Sequence, residues 1–192
     1  MQALEIHQLT KRMDDVQAGQ PWYGRPVLNL LNDIQPEFVF RQDEGFPYSI
    51  ASLMAHMNYW KRYIRDVLIN KNGEPDADES FQWDIYGKPD KNTWELMVTD
   101  YQQLQKSLKN CIHNFSIDPD LQVPRKSYTY QKLLEGAVDH DIYHIGQVIL
   151  LQKYYSTLAL KNYTRKGGWT NSISNWFIAW GLGILSSLVI MK

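Results

Sequence analysis

His140 and His144 stand four residues apart in DHDIYHIGQ (139–147), inside a stretch with helical periodicity. At about 100° per residue they lie only ~40° apart around a helix axis, so both imidazoles leave the same face. Gly136 falls one turn earlier on that face and Gln147 one turn later. The glycine removes a side chain beside the histidines and leaves room for a ligand or a neighbouring helix. Asp141 and Tyr143 flank the pair, suited to hydrogen-bonding around it, and Asp139 points away. Such a pair is either part of a metal site or two polar residues satisfied inside a bundle. A third ligand from another helix decides between them.

His56 is the candidate. Of the five histidines, His7 and His113 have no local company and are expected at the surface or the bundle edge. His56 is centred in YSIASLMAHMNYWKRYI (48–64) and shares its helical sector with Ser49, Ser52, Trp60 and Tyr63. If the two histidine-bearing helices are neighbours, three imidazoles converge. Three neutral imidazoles suit Zn²⁺, Ni²⁺ or Fe²⁺ and leave coordination positions open for water or substrate. That is the character of a catalytic site, since structural zinc sites are closed by a fourth protein ligand.

The elements that must position these residues are helical. Apolar spacing predicts a first helix over 2–17, with Leu4, Leu9, Met13 and Val16 as its apolar set. A short apolar turn, VLNLLNDI, follows Pro26 and ends at Pro36. The second long helix is expected over 49–70, capped by Ser49 and stopped at Asn72-Gly73. Residues 71–91 read as a long surface loop, rich in glycine, proline and acids, that also carries Phe81, Trp83 and Tyr86. The third helix is expected to open on a capping box, Asn92 with Glu95, and to run to about Asn110. The fourth runs from near Thr129 to about Tyr155. Little reads as β-strand. The economical fold is all-α: an antiparallel four-helix bundle with an additional hydrophobic C-terminal segment.

Composition narrows the function. A net charge of −1 and a pI near 6.5, with no long Lys/Arg run, argue against a nucleic-acid partner. The single cysteine, Cys111, can form no internal disulfide and no paired thiolate site, which favours a reducing compartment. The N-terminus lacks the apolar core of a signal peptide, so the expected location is cytoplasmic. The C-terminus complicates this. Residues 170–191 carry no charge, and WFIAWGLGILSSLVIM (176–191) is almost continuously apolar. As a helix that stretch spans roughly 24 Å against a ~30 Å hydrocarbon core; counting from Ile173 to Lys192 reaches the ~20 residues of a span. The segment reads as a membrane tether, a packed extra helix, a dimer contact or a non-native stretch. The expected division is a bundle domain over 1–165 and a tail over 166–192.

YSIASLMAH (48–56) and LLEGAVDHDIYHIGQVILLQKYY (133–155) together resemble the DinB/YfiT-like superfamily of metal-binding four-helix bundles. The second segment matches its pattern of His, three residues, His, one residue, Gly-Gln, with a small residue four before the first His. WYGRPVLNLLNDI (22–34) resembles the family's Trp-His-Gly element, with Tyr23 where a histidine is common. The resemblance covers about residues 2–155 and leaves the apolar tail outside.

The family's three metal-binding histidines fall on His56, His140 and His144. Several relatives resemble thiol-dependent S-transferases or isomerases that use bacillithiol or mycothiol, and others are called metal-dependent hydrolases. The resemblance therefore implies a divalent-metal enzyme, a low-molecular-weight-thiol S-transferase acting on small electrophiles in stress or detoxification. The alternatives are a hydrolase using a metal-bound water and a non-catalytic metal-stabilised binding or sensor bundle. Zinc or nickel is the expected metal, with iron as a further option and a thiol as cosubstrate. Gln147 and Asp141 are expected to orient ligands or substrate, and Trp60, Tyr63 and Trp83 to line a substrate pocket. A small molecule is the expected partner, with a homodimer in keeping with bundles of this type and membrane contact only through residues 170–191.

Overall fold

A computed structural model describes residues 2–70, 86 and 90–165. Trp83, the Asn72-Gly73 stop and the apolar tail lie outside the described residues. Among the described residues the elements follow in order: α1 (Gln2–Gln17), α2 (Val27–Asn32), a 3₁₀ turn (Pro36–Phe38), α3 (Ile50–Ile69), α4 (Lys91–His113) and α5 (Tyr130–Arg165). Apart from one isolated bridge between Gln122 and Thr129, the described residues are helix and connection. The fold is an all-α bundle, as the apolar periodicity requires.

Local chemistry sets the helix ends. Ser49 caps α3, its Oγ accepting from the Ser52 amide at 3.1 Å. The α4 cap is Asp90 rather than Asn92: its carboxylate accepts from the Thr93 amide at 2.8 Å, and the helix starts one residue later. A carboxylate both accepts this bond and complements the positive end of the helix dipole, so it outcompetes the amide two residues on. These hydrogen bonds also hold the Asp90 carboxyl below its ordinary pKa. Helix α5 continues to Arg165 instead of stopping near Tyr155, because residues 156–165 contain neither glycine nor proline.

The chain divides into two units, 1–153 and 154–192, so the boundary falls inside α5, whereas the composition shift in the sequence lies near 165. No helix among the described residues is long and apolar enough to cross a membrane.

In the first unit the core is built from helical stripes. On α4 it is Trp94, Met97, Tyr101, Leu104, Leu108 and Ile112, spaced by three or four residues. On α3 the stripe includes Met54, Met57, Ile64 and Leu68, and on α5 it includes Leu134, Val138, Ile145 and Val148. Two charged residues sit inside these stripes: Lys61 on α3, 3% exposed, and Asp141 on α5, 2% exposed. Charged side chains at such positions are rare unless paired. These two are paired with each other.

Candidate metal centre

The three histidines predicted from sequence come together. One ring nitrogen from each of His56, His140 and His144 lies within 4.8 Å of the others, and all three residues are half-buried. His140 Nε2 lies 3.1 Å from His56 Nε2, within hydrogen-bond distance. Ring centroids are 5.0 Å apart for His56–His140, 4.6 Å for His56–His144 and 4.3 Å for His140–His144. Two imidazole nitrogens bound at ~2.0–2.1 Å to one tetrahedral zinc would be ~3.3 Å apart, so the 3.1 Å approach already has the scale of a shared cation. The donor set fits a divalent transition metal.

Electrostatics favour the ligating form. Burial, then the proximity of His144, pulls the His56 pKa down to about 4. His140 falls to about 3 through burial first, then His144, His56 and Lys61. His144 is lowered by burial, against the opposing effects of its bond to Gln147 and the Asp141 charge. At neutral pH all three rings are therefore uncharged, with a lone pair to offer. The folded values lie below the ordinary 6.5, so as pH falls the unfolded chain takes up these protons first. The metal-free protein should hold its full stability above about pH 6.5 and lose part of it as pH falls towards 4. Thermal melts in chelator between pH 7.5 and 4.5 check this, and His140→Asn should flatten the slope.

Gln147 acts on the site through His144. Its Oε1 accepts from His144 Nδ1 at 2.6 Å, which places the proton on Nδ1 and leaves the lone pair on Nε2. Such partners of metal-binding histidines are commonly worth ten- to a hundred-fold in affinity. Gln147→Ala is accordingly expected to weaken Zn²⁺ binding by about that factor, measured by competition with a chromophoric chelator.

The remaining site residues fall in different places. Trp60 stands beside the triad, its ring 6.3 Å from that of His56 and 6.0 Å from that of His140. Tyr63 packs behind it at 5.1 Å and is itself buried, its phenol pKa raised by burial and a bond to Tyr128. Tyr143, 64% exposed, stands edge-on to His144 at 4.8 Å. A Cβ added at Gly136 would meet nothing within 4 Å, so open space adjoins the turn before His140. Tyr23 is raised by burial and then by the charge of Asp141.

Asp141 faces the core rather than open solvent. Its Oδ2 accepts from Lys61 Nζ at 2.5 Å, Gln17 Nε2 at 2.8 Å and Tyr101 OH at 2.9 Å. Lys61 also donates to Gln105 Oε1 at 2.6 Å and lies 4.6 Å above the Tyr101 ring. Lys61, Tyr101 and Gln17 were not legible as site neighbours from local motifs, although the opposite charges of Lys61 and Asp141 at core-stripe positions were a signal.

A separate cavity of about 300 Å³ is lined by Leu68, Ile69, Ser107, Asn110 and Cys111, among others, and shares no residue with the triad. Burial raises the Cys111 thiol pKa, which leaves it protonated and poorly nucleophilic at neutral pH.

The sequence model of the DinB superfamily matches residues 25–148, from the residue before Pro26 to just past Gln147. No curated protein and no solved structure matches the chain.

Proposed function

The chain belongs to the DinB superfamily, and from that premise we propose that it is a divalent-metal-dependent S-transferase acting on small electrophiles. His56, His140 and His144 would hold the metal. The observation that carries this reading is the convergence of three uncharged imidazole nitrogens within 4.8 Å, on two helices, with no carboxylate among them. A metal held there keeps coordination positions for an exogenous ligand and would stabilise a low-molecular-weight thiol as its thiolate.

The chain's own residues supply the rest. Gln147 holds the His144 ring through Nδ1, which would leave Nε2 to bind the metal. Trp60, beside two of the three rings, gives an apolar wall for a substrate, and the open space at Gly136 gives room next to His140. Tyr143 stands at the exposed side of His144, where an incoming electrophile would meet it.

Co²⁺ substitution tests the proposal. Addition of a thiol such as bacillithiol should shift the visible spectrum of the Co²⁺ protein, and a generic electrophile should then be consumed with the thiol. Ester cleavage without thiol would assign a hydrolase instead. A spectrum indifferent to thiol, with no turnover of either kind, would leave a metal-stabilised binding bundle.

A further inference from the structure

Four helices meet at one carboxylate oxygen. Asp141 Oδ2, on α5, takes donors from α1 (Gln17), α3 (Lys61) and α4 (Tyr101), and Gln17 Nε2 also donates to Tyr101 OH at 2.6 Å. The cluster adjoins the histidines in sequence. Asp141 follows His140 directly, and Lys61 lies five residues after His56 on the same helix. The Lys61–Asp141 pair thus crosses between the two ligand-bearing helices within about one and a half turns of the triad.

Stability alone does not account for such a cluster. Taking a lysine and an aspartate out of water carries a desolvation penalty that their attraction only partly repays, and apolar replacements of similar volume are often neutral or stabilising. Here, moreover, Asp141 Oδ1 and Gln17 Oε1 are buried and accept no hydrogen bond from the described residues. What a buried ion pair supplies in some proteins is uniqueness of arrangement. Sliding or rotating α5 by one residue would strand a charge from three donors at once, whereas an aliphatic stripe tolerates such slips.

We propose that Lys61, Asp141, Tyr101 and Gln17 form a register lock whose task is to position His140 and His144 against His56. The four are positioning residues. They act on the metal site by fixing α5 against α3, not by contact with metal or substrate. This rests on the metal-site reading above, and the experiment separates the two.

The test is the charge-free double variant Lys61→Met/Asp141→Leu, compared with wild type in the full chain. It should remain helical with a cooperative melt. In the metal-free state the NOE between the His56 and His140 rings, expected in the wild type from centroids 5.0 Å apart, should weaken or vanish. Co²⁺ affinity should drop at least about ten-fold, the scale of lost ligand orientation, with a changed visible spectrum. A folded double variant that keeps the ring–ring NOE and binds Co²⁺ like the wild type overturns the proposal. Should the double variant not fold, Tyr101→Phe carries the test, since it deletes one donor and keeps the ring beneath Lys61. The same NOE and affinity losses support the lock, and unchanged values overturn it. A wild type that takes up no Co²⁺ defeats the metal reading instead, while the metal-free NOE comparison still decides the lock.

Discussion

Alanine at His144 is expected to take bound zinc from about one ion per chain to near zero after dialysis against a weak chelator. Three protein ligands are the usual number for an open catalytic site, and the two remaining imidazoles, on different helices, are left without the third. Losing a hydrogen-bond partner of a ligand commonly lowers affinity ten- to a hundred-fold, so losing the ligand itself should exceed about a hundred-fold. The metal-free fold should barely notice. His144 is half-buried and uncharged, and its Nδ1 bonds to Gln147, which can turn to solvent. Its removal strands no buried charge, so metal-free stability should change by less than about 1 kcal/mol. His7→Ala, on an exposed part of α1, should leave zinc content unchanged. Zinc retained at wild-type content by His144→Ala would remove that residue from the ligand set.

Much of this centre was readable from sequence, because helical geometry is rigid. The i,i+4 spacing of His140 and His144 fixes their shared face whatever the tertiary structure does. Placing His56 opposite them needed the assumption that α3 and α5 are neighbours, and 3.1 Å between Nε2 atoms shows that they are. The hydrogen bond from His144 to Gln147 is an i,i+3 contact and was equally local. The start of α4 was less legible, since Asp90 and Asn92 are both good caps and sequence alone does not rank competing acceptors.

The surroundings of Asp141 were least legible, for a physical reason. Its flanking position beside the histidines suggested a contact with ligand or substrate, yet 100° of helix rotation turns it into the core stripe with Val138 and Ile145. Its partners come from residues 17, 61 and 101, separated by 124, 80 and 40 positions. Long-range pairing of this kind depends on how the helices pack, which periodicity does not encode. The usable signal was charge out of place. Lys61 shares a stripe with Met54, Met57, Ile64 and Leu68, and a lysine there requires an acid on a facing helix.

That placement makes the single substitution Asp141→Ala strongly damaging to the fold. It removes the acceptor of three hydrogen bonds and leaves Lys61, 3% exposed, with Gln105 Oε1 and the Tyr101 ring as its partners among the described residues. Neither neutralises an ammonium. Breaking a buried pair from one side typically costs about 3–5 kcal/mol, a large part of the ~5–15 kcal/mol that holds an ordinary domain together. Asp139→Ala, two residues earlier on the same helix, makes the fitting comparison. Asp139 is also ion-paired, with Arg12 at 2.6 Å, but both side chains are about half exposed, and such pairs contribute about 0–1 kcal/mol. Urea unfolding of the two variants in chelator should therefore separate them by several kcal/mol, with metal playing no part. Equal midpoints would mean that water reaches Lys61 and Asp141 in solution, and the carboxylate would then be too well solvated to fix the register of α5.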